Sequence, residues 1–130
     1  MGYKLARPER SVIAATGDGS HMFANPVACH QIAEALGISI LVIILNNTEW
    51  GAVRKGVLGL YPEGHAAKSN AVPLTSLAPS PDYTQVAAAS RAWARHATTA
   101  EAFETALAEA LDHIDANNGL ALIEVAVAAG

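Results

Sequence analysis

The sequence predicts an α/β fold in three layers, with a parallel sheet that carries helices on both of its faces. The prediction rests on three short apolar segments that alternate with stretches of helical periodicity, namely Ser11–Thr16, Ile38–Leu45 and Leu120–Val127. The second segment is apolar almost throughout, as expected for a strand that is covered on both faces of a parallel sheet. Strands that alternate with helices at these lengths are typical of parallel α/β domains.

Length and composition indicate one domain that spans residues 1–130. The net charge is −4 at pH 7 and no basic stripe is present, which argues against nucleic acid as a partner. The longest apolar run, Ile38–Leu45, is far shorter than the roughly 20 residues that cross a bilayer, so we expect no membrane span. The single cysteine, Cys29, allows no internal disulfide, and no signal peptide is visible, which together predict a cytoplasmic protein.

The first long helix is predicted between the first two strands. Asn25 is suited to cap this helix, Pro26 to occupy its first position and Gly37 to end it. Apolar residues recur at three- and four-residue spacing and predict a buried face, made of Ala28, Cys29, Ile32, Ala33 and Leu36.

Further elements are predicted after the second strand. One helix is expected over Trp50–Leu58 and another over Asp82–Ala94, followed by a short strand around His96-Ala97. Thr98, with a glutamate three residues later, has the form of a capping box. It predicts a last helix that ends at about Asp115.

The segment Gly59–Pro81 is predicted to be a long loop, because it is rich in proline and shows no clear period. Long loops in compact domains are often lids or binding elements, so we expect this segment to be a possible lid. His65 lies within it and is a candidate for a substrate contact.

Polar motifs follow the first two predicted strands. Gly17-Asp18-Gly19-Ser20 follows the first strand, and Asn46-Asn47 follows the second. In open α/β sheets, ligands bind at the edge where parallel strands end. Glycines let the backbone N–H groups approach phosphate oxygens, and carboxylate and amide oxygens are ligands that Mg²⁺ accepts. The two motifs together predict a metal-bridged phosphate site.

Two other interpretations of these motifs are open. Taken separately, each motif is an ordinary turn. A nucleotide-binding domain is a further alternative, but it would need a glycine-rich turn that opens directly onto a helix, and the third glycine and the lysine of the usual phosphate loops are missing after Gly17-Asp18-Gly19.

The spacing of the motifs resembles the metal-binding signature of thiamine diphosphate-dependent enzymes. Gly17-Asp18-Gly19 is separated by 26 residues from Asn46-Asn47. The first motif with its downstream Asn25-Pro26 resembles acetolactate synthases, and Asn47–Arg54 resembles benzoylformate decarboxylase and benzaldehyde lyase. Leu122–Val125 is similar to the closing strand of this group, so that the resemblance covers nearly the whole chain.

The resemblance implies the thiamine diphosphate-binding fold and a set of site residues. Mg²⁺ would be bound by the side chains of Asp18 and Asn47 and by the backbone carbonyl of Glu49. Asn46 would brace the turn, with the reverse assignment, Asn46 as ligand and Asn47 as brace, left open. The diphosphate would be held by hydroxyl or backbone N–H groups of Gly17, Gly19, Ser20, Trp50 and Gly51.

The resemblance also implies an activity and a partner. The expected enzyme is a lyase or transferase that decarboxylates 2-oxo acids, or that joins or cleaves carbon–carbon bonds. In this family an essential glutamate comes from a pyrimidine-binding domain, usually of another subunit, so we expect a homo- or hetero-oligomer and no activity without that domain. We further expect the domain to be truncated at its N-terminus, because Gly2–Ala6 resembles the tail of a helix.

Three explanations of a chain this short are open. It is a fragment of a longer enzyme, one subunit of a split decarboxylase, or a non-catalytic interaction module that retains the fold.

Several charged or polar residues outside the motif have no assigned role. His21 departs from the aromatic or small residue that is common after Gly-Asp-Gly-Ser; it is expected to be a loop histidine without an active role, with a position facing the cofactor as the alternative. His30 is expected to face solvent or to pack structurally. Arg54 and Lys55 follow the second motif and are expected on the solvated surface, with a charge offered to a carboxylate substrate or to a neighbouring subunit as the alternative.

Overall fold

The computed structural model describes residues 1–69, 72 and 74–128. Over this part of the chain four strands form one parallel sheet in the order β1-β2-β4-β3. This arrangement confirms the predicted α/β class. The strands are β1 (Ile13–Gly17), β2 (Leu41–Asn46), β3 (Trp93–Ala97) and β4 (Ala121–Ala126).

Each connection between consecutive strands contains at least one helix. No helix among the described residues is both long and apolar enough to cross a membrane. The helices are α1 (Gly2–Ala6), α2 (Asp18–Phe23), α3 (Pro26–Ala35), α4 (Gly51–Leu60), α5 (His65–Ser69), α6 (Tyr83–Ala88) and α7 (Ala100–Asp115).

The central strands of the sheet are buried on both faces. Val42, Ile44 and Leu122 pack with α3 and α6 on one face. Leu41 and Ile123 pack with α7 on the other. Each fully buried Ile or Leu side chain contributes about 1.5–3 kcal/mol relative to an exposed one, so these two strands hold the layers together. The three-layer architecture is as predicted.

Strand β1 is less well covered than the other strands. It pairs with β2 along one edge, and within the described residues no strand pairs with its other edge. Ile13 is 51% exposed, and its neighbours Ala14 and Ala15 are also exposed. The chain therefore presents an apolar strand at the side of the sheet.

Helix α6 ends earlier than the sequence predicts. The expected helix Asp82–Ala94 stops at Ala88, because Trp93 and Ala94 pair with β4 instead. Asp82 does cap α6, and its carboxylate accepts from the backbone N–H of Gln85.

The cap of the last helix is also displaced, by one residue. Thr99, rather than Thr98, caps α7, and its hydroxyl oxygen accepts from the backbone N–H of Ala102 at 3.1 Å.

The buried face of α3 differs from the predicted one. Ile32 and Leu36 are 44% and 57% exposed, whereas His30 and Ala33 are buried. The cause is tertiary, because α3 is turned so that His30 and Ala33 face α6 and the sheet. The periodicity correctly predicted the helix but indicated the wrong buried face.

The Gly-Asp-Gly motif is not an isolated turn, since Asp18 is the first residue of α2. The prediction of a loop at His21 is therefore wrong, because His21 lies in the same helix.

The segment Gly59–Pro81 is not a continuous loop. Gly59 and Leu60 belong to α4, His65–Ser69 forms α5, and Ser76 makes an antiparallel bridge with Glu49. Positions 70, 71 and 73 of the predicted loop lie outside the described residues. A lid function for this segment stays a prediction.

Candidate functional site

The two polar motifs meet because β1 and β2 run side by side in register. Gly17 pairs with Leu45, so the residues that follow leave the same edge of the sheet. A cavity of about 460 Å³ opens at this edge, beside a second one of about 620 Å³ that Asn46 and Glu124 line. All of the predicted site residues line the smaller of the two, which we call the cavity, namely Gly17, Asp18, Gly19, Ser20, Asn47, Glu49, Trp50 and Gly51.

Asp18 lies at the wall of this cavity and is only 2% exposed. Its Oδ1 accepts from the backbone N–H of Gly19 at 2.9 Å. Its Oδ2 is buried and has no hydrogen-bond partner among the described residues. A buried carboxylate oxygen without a partner is costly, and a bound cation would remove that cost.

Gly19 is required by the packing of Trp50. A Cβ at position 19 would lie 2.7 Å from Cε3 of the indole, closer than non-bonded carbons approach. The bare glycine backbone thus lies directly against the ring. Gly51 is less restricted, since a Cβ there would lie 3.4 Å from Nδ2 of Asn47.

Asn46 is engaged at both ends of its amide. Its Nδ2 donates to Oε1 of Glu124 at 2.7 Å and to Oγ of Ser80 at 2.9 Å. Its Oδ1 accepts from the backbone N–H of Thr48 at 3.0 Å. Asn46 is 9% exposed and does not line the cavity. These contacts favour Asn46 as the brace and Asn47 as the candidate ligand.

Asn47 faces the cavity with more of its polar surface available. Its Oδ1 accepts one hydrogen bond, from the backbone N–H of Glu49 at 3.2 Å. An amide oxygen has a second lone pair, which leaves capacity for a cation. The Glu49 side chain is paired with Arg54, with 3.2 Å between Oε1 and Nε.

Glu124 is a residue of the site region that sequence reasoning missed. It is 6% exposed in the middle of β4, and it reaches Asn46 across the sheet. A carboxylate within an otherwise apolar strand was the available signal, because buried charged groups are rare unless they are paired.

The segment Thr75–Leu77, which we call the strap, is hydrogen-bonded to the turn that contains the second motif. The backbone N–H of Trp50 donates to the carbonyl of Thr75 at 2.7 Å. The backbone N–H of Leu77 donates to the carbonyl of Thr48 at 2.8 Å. These bonds and the Glu49–Ser76 bridge hold the turn in one conformation.

His21 lies outside the cavity lining. It is 7% exposed, and its ring lies 5.5 Å from that of His30 and 5.4 Å from that of Tyr83, measured between centroids. Burial, and then the proximity of His30, lower the pKa of His21 to about 4. Burial also lowers the pKa of His30. Both rings are therefore neutral at pH 7.

The remaining candidates divide between surface and cavity. His65 is exposed on α5 and does not line the cavity. Lys55 is exposed, as expected, and it also lines the cavity.

The fold and the cavity together define a class of protein, an α/β domain with a candidate ligand site at the carboxyl edge of its parallel sheet. Residues 1–125 match the model of a family described as "Thiamine pyrophosphate enzyme, C-terminal TPP binding domain". The chain belongs to this family. Its membership excludes the nucleotide-binding alternative.

Curated relatives and solved structures agree with this assignment. The chain is 36% identical to an acetolactate synthase of Mycobacterium avium over 89 residues, which are 68% of this chain and 14% of the relative. It is 35% identical to the acetolactate synthase large subunit of Lactococcus lactis subsp. lactis (strain IL1403) over 63 residues, which are 48% of this chain and 11% of the relative.

The fold is shared with a decarboxylase of known structure. A thiamine diphosphate-dependent 4-hydroxybenzoylformate decarboxylase of Rhodococcus jostii RHA1 superimposes with a TM-score of 0.82 at 29% identity, over 99% of this chain and 22% of that one. Benzoylformate decarboxylase from Polynucleobacter necessarius, at 22% identity and a TM-score of 0.79 over the same shares, has the same fold. The chain thus spans less than a quarter of each protein.

The first prediction concerns Glu124. Glu124→Ala removes the acceptor of the Asn46 amide and should lower the free energy of unfolding by about 1–3 kcal/mol, because a buried donor loses a partner. Urea unfolding measures the change. Glu104→Ala, at an exposed position of α7 beyond its first turn, is the control and should change stability by less than about 0.5 kcal/mol. Equal stability of the two variants would show that the brace contributes nothing.

The second prediction concerns Gly19. In a Trp93→Phe background, where Trp50 is the remaining indole, Gly19→Ala should shift the emission of Trp50 to longer wavelength, because the new Cβ displaces the ring toward water. Gly17→Ala is the matched control, since a Cβ there meets nothing within 4 Å. Unchanged emission in the Gly19 variant would contradict the close packing.

The third prediction concerns pH. The pKa of His21 is about 4 in the folded chain and about 6.5 when unfolded, so the unfolded state binds the proton more tightly. Stability should therefore fall as pH decreases from about 6.5 to 4, by on the order of 2–3 kcal/mol from this group. His21→Leu should flatten this part of the unfolding-versus-pH curve. A stability-versus-pH curve of the same slope in both proteins would contradict the lowered pKa of His21.

Proposed function

We propose that the chain binds the diphosphate of thiamine diphosphate through Mg²⁺. The metal ligands are the side chains of Asp18 and Asn47 and the backbone carbonyl of Glu49. The observation that carries the proposal is the unpartnered Oδ2 of Asp18, buried in the wall of a cavity that Asn47 also lines. The diphosphate is held by the residues around this metal, namely Gly17, Gly19, Ser20, Trp50 and Gly51.

The donor set suits magnesium. A carboxylate, an amide and a backbone carbonyl are hard oxygen donors, and Mg²⁺ takes few of them because phosphate oxygens and water complete its octahedron. The described residues contain no group of three or more His, Cys, Asp or Glu placed to hold a metal ion. A cation held by Asp18, Asn47 and Glu49 would complete its coordination with phosphate oxygens and water.

The whole protein, on this proposal, is a lyase or transferase that acts on 2-oxo acids. The names of the relatives support this class, since they are an acetolactate synthase and a 4-hydroxybenzoylformate decarboxylase. The cofactor, when bound, supplies a nucleophilic carbon and an electron sink for breaking or forming a carbon–carbon bond. The residues of this chain anchor and orient the cofactor, with Asp18 and Asn47 fixing the metal and Trp50 covering the Gly19 backbone.

The proposal includes a partner. The chain spans 14% of the acetolactate synthase of Mycobacterium avium, so catalysis requires further parts of the protein. We assign to them the pyrimidine-binding domain, in the same chain or in another subunit of a cytoplasmic homo- or hetero-oligomer. The chain alone is inactive on this proposal.

The fourth prediction tests the metal site. Asp18→Asn keeps the shape of the side chain but removes its charge, and should weaken Mg²⁺-dependent binding of thiamine diphosphate at least 100-fold, because a metal ligand loses its negative charge. Isothermal titration calorimetry measures the affinity. Asp112→Asn, at an exposed position of α7, is the matched control and should leave it unchanged.

The proposal would fail if the Asp18 variant bound the cofactor with undiminished affinity. It would also fail if the affinity of the unsubstituted chain did not depend on Mg²⁺.

A further inference from the structure

Lys55 is a cation at the cavity with no partner in the described part of the chain. It lines the same cavity as Asp18 and Asn47, and its side chain is exposed. None of the described residues forms a hydrogen bond or an ion pair with it. Its neighbour Arg54 is different, because that guanidinium is paired with Glu49.

Helix geometry accounts for the position of Lys55. It lies four residues after Gly51 in α4, so that both residues share one face of the helix. Helical side chains lean toward the N-terminus and cover the preceding turn. Lys55 therefore extends over the first turn of α4, whose backbone N–H groups lack acceptors within the helix.

The charges around the cavity favour a role for the Lys55 ammonium group in binding an anionic ligand. Of the described residues that line it, Asp18 and Glu49 are acidic and Lys55 is the basic one. Glu49 is paired with Arg54, and Asp18 neutralises part of the charge of a divalent ion. A terminal phosphate carries about −1.5 to −2 charges at neutral pH, so a metal-bound diphosphate still bears negative charge.

We infer that Lys55 binds the phosphate oxygens of the diphosphate, as a further cofactor-binding residue beyond those of the spaced motif. The inference rests on the proposed function. A lysine ammonium is a mobile point charge, and it binds phosphate without a fixed geometry. Lys55 therefore supplies affinity, while the metal and the glycine backbone determine orientation.

The experiment titrates the 130-residue chain with inorganic diphosphate at fixed Mg²⁺, followed by calorimetry. Lys55→Gln should raise Kd about three- to tenfold, because an ammonium–phosphate contact is lost. Lys55→Arg should stay within about twofold of the unsubstituted chain, since it keeps the charge. Lys68→Gln removes the same charge from α5, outside the cavity lining, and should leave Kd unchanged.

Salt provides a second readout. Raising ionic strength should weaken binding to the unsubstituted chain more than to the Lys55→Gln variant, because one attraction to phosphate has been removed from the latter. A purely structural role for Lys55 would not change this salt dependence. Thermal unfolding of each variant, expected to be unchanged at these exposed positions, excludes a loss of fold.

The outcomes separate this inference from the proposed function. If the unsubstituted chain does not bind diphosphate with Mg²⁺, the proposed function itself is wrong. If it binds, and Asp18→Asn abolishes binding while Lys55→Gln has no effect, the inference is wrong and the metal site stands. Equal losses in Lys55→Gln and Lys68→Gln would show a general effect of net charge, which also overturns the role of Lys55.

Discussion

The parallel register between β1 and β2 is the constraint on which the site depends. Gly17 lies opposite Leu45, so that Asp18 and Asn47 leave the sheet at one edge although they are far apart in sequence. Side chains alternate between the faces of a sheet, and a slip by one residue would exchange the faces of β1. Such a slip would also move Asp18 by one residue relative to Asn47. The pairing of the two strands thus determines where the polar groups of the cavity meet.

The turn after β2 is held in one conformation before any ligand binds. Thr48 adopts a left-handed conformation with φ 59°, which costs a residue other than glycine about 1–2 kcal/mol. Asn46 bonds to the Thr48 backbone and is itself held by Glu124. The strap fixes the opposite side of the turn. The turn is therefore ordered when the chain folds, so that the binding of a ligand does not have to order it.

Local pattern and spacing were sufficient to predict the class of the sheet and the order of strands and helices along the chain. They were also sufficient to identify the motif residues that share the cavity. They were not sufficient where tertiary packing determines which side chains are buried or lie next to the cavity. His30 lies on the buried face of α3 because α6 packs there, and no periodicity in the sequence indicates that. Lys55 and Glu124 acquire their places from helix direction and from strand pairing. The strap was missed because Thr75–Leu77 has no distinctive composition.

The strap contacts the turn mainly through main-chain atoms, since the carbonyl of Thr75 and the N–H of Leu77 form its two short bonds. Any residue other than proline could donate from position 77, and any residue could accept at position 75. These two main-chain bonds therefore do not restrict the side chain of Leu77, whereas Thr75 is buried and its hydroxyl donates to the carbonyl of Val72 at 2.8 Å. A deletion of one residue between α5 and α6 would disturb the turn more than most substitutions there, and an alignment that scores side-chain identity would not reveal why.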